Sequence, residues 1–599
     1  MDRNTTIGFV LIGLVLIVWM WMQAPPPPGA RPPLPDSLRA VQVPPRDTMR
    51  PAPRPVVPDT ADRTPAEIYG TYFAPRAAGE EKVIVVATDL YTAEITTKGG
   101  LLRKWELTAF KTWDGRPVEL VDFDRGGDLS LLFTSGDGKL INTRSLYFEA
   151  RERPWTTYRL TGSQSIVIDM TLPLGEGRSI VKRMTFTNGK YSFDTEFDFA
   201  GMGEAISNFE YQIVWENGLR YAERNSVDES SFAQAYAFSG GELTDIDATK
   251  IGETVKRDIN GNTDWVATRS KYFALAMMPE HNAAQGAYLE GTRTGAPDNG
   301  VREIYTLALK MPLATGAERA RVTVFLGPLD YDIIKGYDRG LDQIMSLGAA
   351  WIIRPIAEYV MIPLFKFLHM FIPNYGWVII IFSVIIKLAL QPLTRSSMKS
   401  MKRMQALTPL MNEIREKYKE DPNKQNQQIM NLYKEYGVNP AAGCLPMLLQ
   451  MPILFALYAV FRSTIGLRQS AFMLWITDLS IPDTVVHLPF KIPLFGMTDL
   501  SGLALAMGVT MFLQQKMTVT DPRQKAMVWM MPLMMTLIFN SLASGLNLYY
   551  FVFNLLAIGQ QLWFNKRTGD EPLRKVEPKK GGGGLMARLA KNMPDVKRR

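Results

Sequence analysis

The side chain in this 599-residue chain with the most pointed chemistry is a lysine set where lysines are rare. Lys387 lies inside the apolar run GWVIIIFSVIIKLALQPLTR (376–395). A charge at hydrocarbon depth costs from about 2.5–3.5 kcal/mol on insertion scales to about 10 or more in simulations. Ser383 stands four residues before it and Gln391 four after, so a continuous helix carries all three on one face. At 1.5 Å per residue Lys387 falls about 16 Å beyond Gly376, near mid-membrane. Neighbouring apolar segments add Gln450, Asn540, Ser541 and Tyr550, which with Lys387, Ser383 and Gln391 make a candidate polar groove. The apolar segments from 374 on contain no Asp or Glu, so no salt bridge within them is expected. That leaves a hydrated cavity with the counter-charge supplied from outside the chain, or snorkelling of Lys387 toward the cytoplasm. Such a stripe attracts and guides polar groups; nothing in it activates a nucleophile.

Other chemistry is thin. The histidines at 281, 369 and 487 lack metal-ligand spacing, and the single cysteine, Cys444, excludes an intramolecular disulfide. Nucleophile motifs and phosphate loops are absent from the sequence, and no cofactor is expected. Net charge is +8, from 67 Lys and Arg against 59 Asp and Glu, which suits anionic lipid or RNA.

The elements that must hold Lys387 follow from texture. Residues 1–24 read as an uncleaved transmembrane anchor, and 25–80 as a Pro-rich, extended linker. From 81 to 348 the pattern alternates at period 2, as in Ile166, Ile168, Met170 and Leu172, and Asn188-Gly189 separates two strand-like runs as a hairpin signal. An antiparallel β-sandwich with a C-terminal helix is expected there. Residues 349–373 read as an amphipathic helix lying in the membrane interface. Spans are expected at 374–395, 443–465, 500–517, 527–543 and 545–565, which with the anchor makes six. Between them come a cytoplasmic helical hairpin (396–442), a periplasmic loop (466–499) and a cytoplasmic loop (518–526), and a basic tail follows (566–599). Nine Lys and Arg in 395–442 and eleven in the tail put both termini in the cytoplasm and the β domain outside. In the hairpin, Met398, Met401, Met404, Leu407, Met411, Ile414 and Tyr418 form one stripe and Ile429, Met430, Tyr433 and Tyr436 another. These stripes either pack on each other or dock apolar segments.

Four stretches, KEYGVNPAAGCLPMLLQMPILFALYAVF (434–461), LRQSAFMLWITDLS (467–480), MGVTMFLQQKMT with TDPRQKAM (507–527) and SGLNLYYFVFNLL (544–556), resemble the YidC membrane-protein insertase family, in its Gram-negative form. The resemblance implies a mutarotase-related β-supersandwich outside the membrane and a five-helix core around a hydrophilic groove open to cytoplasm and lipid. Bacterial members usually carry arginine where this chain has Lys387. That exchange keeps the charge and gives up the planar fork, leaving point attraction of acidic client residues. The hydrophobic part of a client would leave past Met451, Leu454, Met530, Met531, Met534 and Met535. Implied partners are nascent membrane proteins, the Sec translocon, the phospholipid bilayer and, through Lys399, Lys402, Arg403, Arg415 and the tail, the ribosome. A monomer in the bacterial inner membrane would suffice, and no enzyme activity is implied. Two other readings stay open: a small-molecule transporter, and a membrane-anchored enzyme acting on periplasmic sugars.

Overall fold

The computed structural model describes residues 64–280, 284–313, 319–349, 351–438, 445–492, 496–518, 525–567 and 575. The expected anchor, most of the Pro-rich linker, Cys444 and nearly all of the basic tail lie outside them. Two compact units make up the chain, one ending at Met345 and one running from Ser346.

Alternation builds the first unit. Strand Ser165–Gly175 buries Ile168, Met170 and Leu172 and turns polar residues outward. It pairs antiparallel with Arg178–Thr187, which pairs with Ser192–Ala200 across Asn188-Gly189. Gly189 takes φ +79°, a left-handed conformation that residues with side chains rarely adopt, and Asn188 ties the turn to Asp89 (2.6 and 2.8 Å). These strands belong to a 14-stranded sheet, and a second sheet of five strands accompanies it. The smaller sheet departs from antiparallel order once, where Val83–Ala87 runs parallel to Thr156–Arg159. Trp105 joins the two sheets. Its ring stacks on Tyr91 at 3.7 Å, lies 5.7 Å from Phe193, and its indole N–H donates to the Leu326 carbonyl at 3.0 Å. Fully burying a side chain of this size contributes roughly 1.5–3 kcal/mol, and the satisfied N–H removes the cost of burying it.

Lys182 and Glu229 are among the charged side chains this unit buries. Lys182 sits on the core face of Arg178–Thr187 and donates to the Gly100 and Leu129 carbonyls (2.7 and 2.6 Å). Burial pulls its amine down to about 7. Glu229, on the short helix Ser226–Ser230, accepts from the backbone N–H groups of Ala222 and Glu223 (2.9–3.2 Å). Burial outweighs these bonds and pushes its carboxyl up to about 8. Because this lies above the roughly 4.3 of an unfolded glutamate, its stabilising contribution is full below about pH 4 and is lost as pH rises through about 8. Burial likewise pushes Glu119 and Asp128 up to about 7 and Glu303 up to about 8, so they act in the same direction, and Lys182 opposes them only as pH approaches about 7. Between about pH 5 and 7 the β-sheet melting temperature, followed by circular dichroism, is expected to fall by several degrees, and Glu229→Gln to remove its share of the fall.

The second unit is helical: α1 (Ile362–Phe371), α2 (Tyr375–Ala389), α3 (Gln391–Ala406), α4 (Thr408–Lys417), α5 (Pro422–Glu435), α6 (Leu445–Ser463), α7 (Gly502–Thr518), α8 (Lys525–Phe539) and α9 (Ser544–Arg567). Phe365 of α1 wedges between Phe382 of α2 (4.7 Å) and Phe461 of α6 (5.2 Å). Other α1 side chains, Phe367, Met370 and Phe371, remain exposed. The hairpin stripes pack on each other, with Leu407, Met411, Leu432 and Val438 buried against Met404, Ile414, Ile429 and Tyr433.

Two prolines divide what the sequence reads as continuous helices. Pro392 lacks the N–H that would bond the Leu388 carbonyl, and its ring opposes that carbonyl, so α2 stops at Ala389. The axis turns by 66° between Tyr375–Ala389 and Thr394–Ala406. Pro409 separates α3 from α4 in the same way. Among the described residues no single helix is long and apolar enough to cross a membrane, but this bent pair is so by length and composition.

Candidate functional site

Helix α2 starts where Asn374 caps the N–H of Gly376 (2.9 Å) and buries Val378, Ile379, Phe382, Ser383 and Ile386. The buried stripe meets α9: Phe382 packs on Tyr549 at 6.2 Å, and the Lys387 Nζ lies 4.2 Å from the centre of the Phe553 ring. Two turns of parallel helix therefore set the depth of Lys387, which is half-buried. Among the described residues no carboxylate lies within ion-pair distance of it, and Phe553 is the partner the geometry supplies. A desolvated cation over an aromatic face is stabilised by about 2 kcal/mol, well short of the cost of taking an ammonium out of water.

Helices α7 and α9 carry polar atoms that the fold leaves open. The buried hydroxyls of Tyr549 and Tyr550 and the Gln515 Oε1 have no hydrogen-bond partner among the described residues. Gln515 Nε2 reaches the Met531 sulfur at 3.2 Å, and Asn554, one residue beyond Phe553, reaches Thr510 of α7 at 3.5 Å. Tyr550 stands edge-on between Phe539 (5.0 Å) and Tyr549 (5.2 Å).

The other candidate residues disperse. Ser383 is buried and returns its hydroxyl to the Ile379 carbonyl (2.7 Å), so it adds little polarity beside Lys387. Gln391 opens α3 beyond the bend and does not share the α2 face. Asn540 leaves the set: α8 ends at Phe539, and Asn540 accepts from the Ser501 N–H (2.8 Å) and donates to the Asp499 carbonyl (2.7 Å) at the helix ends. Ser541, in the turn beside it, is exposed and bonds the Ile538 carbonyl (3.1 Å). Gln450 is half-buried on α6. Of the apolar candidates Met451 and Met530 are exposed, while Leu454, Met531, Met534 and Met535 are half-buried. Lys399 and Arg403 are exposed on α3, Lys402 and Arg415 are half-buried, and Arg415 bonds Asn412 (3.3 Å).

Residues 83–359 match the family model for the YidC periplasmic domain, and 367–571 match that for the 60Kd inner membrane protein. The chain is 41% identical over 576 residues to the membrane protein insertase YidC of Chlorobaculum parvum, covering 95% of this chain and 96% of the relative. It is 39% identical over 584 residues to that of Chloroherpeton thalassium, covering 96% and 97%. The chain belongs to the YidC family.

A crystal structure of an active YidC insertase with its first transmembrane domain resolved aligns over 84% of this chain and 97% of that one, at 19% identity. Its TM-score of 0.34 is too low to support any residue-level comparison. Family membership makes the first unit the periplasmic domain and the helical unit the membrane module of an inner-membrane protein. Sequence reasoning missed Phe553 and Asp483. Phe553 lies within SGLNLYYFVFNLL, but apolar periodicity does not distinguish a ring beneath a lysine from one facing lipid. Asp483 lies in the expected periplasmic loop, where hydropathy does not distinguish a buried carboxylate from a solvated one.

Proposed function

We propose that this chain inserts segments of nascent membrane proteins into the inner membrane, using the Lys387 side of the helical module as a polar path. The observation that carries this reading is Lys387 itself, half-buried between helices with an aromatic ring in place of a counter-ion. Unpartnered buried polar atoms are satisfied in proteins by water or by bound groups. The open hydroxyls of Tyr549 and Tyr550, one turn before Phe553 on α9, therefore suit a hydrated path that takes up the polar flank of a client. The apolar part of the client then leaves past Met451 and Met530, whose flexible thioethers accommodate varied partners. Burial of the client in lipid drives the step, so no bond is made or broken, no nucleotide is consumed and no enzyme activity is required. Liposomes holding the purified chain are expected to protect a short single-span client from protease; equal protection in empty liposomes would sink the reading.

In this reading the anchor and the spans near 374–395, 443–465, 500–517, 527–543 and 545–565 leave both termini in the cytoplasm. One copy suffices, working alone or beside the Sec translocon. Lys399, Lys402, Arg403 and Arg415, with the tail, face the ribosome. Contact with RNA phosphates releases counterions, so ribosome co-sedimentation is expected to fall steeply, roughly tenfold or more, between about 50 and 200 mM salt, and further on deletion of the tail. Binding insensitive to both would remove the ribosome from the scheme.

A further inference from the structure

Residues 470–492 and 496–501 tie together helix ends. The Asn374 amide at the start of α2 donates to the Ala471 carbonyl (3.0 Å), and Phe472 packs edge-on against Trp377 at 5.7 Å. At the start of α7, Asp483 accepts from the Leu503 N–H (2.8 Å). At the start of α9, the Ser544 hydroxyl donates to the Asp478 carbonyl (2.7 Å), and the N–H groups of Ser544 and Gly545 donate to Ile481 and Leu479 (2.9 Å each). Asn540 adds the end of α8. The segment therefore lies at the depth of the helix ends, where a bilayer passes from acyl chains to headgroups.

Its outward side is apolar. Between Ser470 and Phe490 the only acidic residues are Asp478 and Asp483. Asp478 is engaged by the Ser480 N–H and hydroxyl (2.8 and 2.7 Å), and Asp483 is buried. Met473, Leu474, Trp475, Val485, Val486 and Phe490 are exposed instead. Leu474 is 81% exposed at φ +58°, a conformation bulky residues rarely adopt. Trp475 has an apolar ring facing out and an indole N–H satisfied by Asp483 (2.8 Å), the amphipathic arrangement that tryptophan takes at membrane interfaces. The patch continues through Phe472 to Trp377, itself exposed on α2.

We propose that this segment is an interfacial anchor, with Leu474, Trp475 and Phe490 immersed in the lipid leaflet at that end of the bundle. The proposal rests on the membrane location of the helices and does not depend on client insertion. Lipid is the occupant because the patch runs on from the helix surface, and the polar groups beside it, His487 and Asp499, are bonded to each other (2.5 Å) rather than held open for a protein partner.

The test uses the full chain with its single cysteine removed (Cys444→Ser). An environment-sensitive fluorophore is placed by Leu474→Cys or Phe490→Cys, or at an exposed control site in the periplasmic domain by Lys250→Cys. The chain is reconstituted in phosphatidylethanolamine–phosphatidylglycerol vesicles whose acyl chains are brominated close to the headgroups. Labels at 474 and 490 are expected to lose about half or more of their emission relative to unbrominated vesicles, since interfacial elements sit about 5–10 Å into the boundary. The control label is expected to be unchanged. Labels at 474 and 490 that behave like the control, and that aqueous iodide quenches equally, would overturn the proposal. Client insertion is scored in the same vesicles: quenching without insertion keeps the anchor and sinks the insertase reading, and insertion without quenching does the reverse.

Discussion

Lys387→Glu is expected to lower insertion of clients with acidic translocated segments by tenfold or more, read as protease-protected client in cells depleted of the native protein. The size follows from the surroundings. At an effective dielectric of about 20, two unit charges 4 Å apart interact by about 4 kcal/mol, and each 1.4 kcal/mol is tenfold. Reversing the sign turns an attraction of this order into a repulsion, so a path that is even partly hydrated retains ample effect. Lys387→Ala removes the attraction without adding repulsion and should fall between Lys387→Glu and the native chain. Lys387→Arg should remain close to native, because the Phe553 face accepts a guanidinium as readily as an ammonium. The control lies in the client. Segments without acidic residues should lose much less, whereas a misfolded bundle would lose all clients alike. Equal insertion of acidic clients by Lys387→Glu and the native chain would remove Lys387 from the mechanism.

The periplasmic fold was legible because period 2 states which side of each strand is buried, and Ile168, Met170 and Leu172 obey it. Lys182 was not, since a lysine on a core face becomes intelligible only when Gly100 and Leu129, far off in sequence, bring their carbonyls to it. In the helical unit the breaks at Pro392 and Pro409 were written in the sequence, but the apolar run masked the first and the methionine stripe the second. Phe553 and Asn540 were illegible for another reason. Their roles depend on contacts between segments, Asn540 with Asp499 and Phe553 with Lys387, and hydropathy carries no information about pairing. Asn540 was read as a groove residue because the apolar run continues past it, yet α8 stops one residue earlier.

Asp483→Ala is expected to produce the largest loss of stability in the membrane module. The buried carboxylate receives three donors: the Ser501 hydroxyl, the Leu503 N–H (2.8 Å) and the Trp475 indole N–H (2.8 Å). Truncation strands the buried Ser501 and Leu503 donors, the Trp475 N–H being part-exposed, and removing one member of a buried charged network costs roughly 3–5 kcal/mol. Ser501 is itself held by Asn540 and approached by Asn547 (3.4 Å), so the loss reaches the ends of α8 and α9 as well as α7. Asp483→Asn separates shape from acceptor capacity. Its oxygen still serves Trp475 and Leu503, and its amide faces Ser501, whose hydroxyl turns to accept, so about a third to a half of the loss is expected. Thermal unfolding of the detergent-solubilised chain gives the order native, Asp483→Asn, Asp483→Ala. Insertion should then fall for acidic and neutral clients by the same factor, because Asp483 lies at the helix ends and acts through the bundle, whereas Lys387→Glu selects between them. An Asp483→Ala chain that melts with the native one would show that the helix ends are held by other contacts.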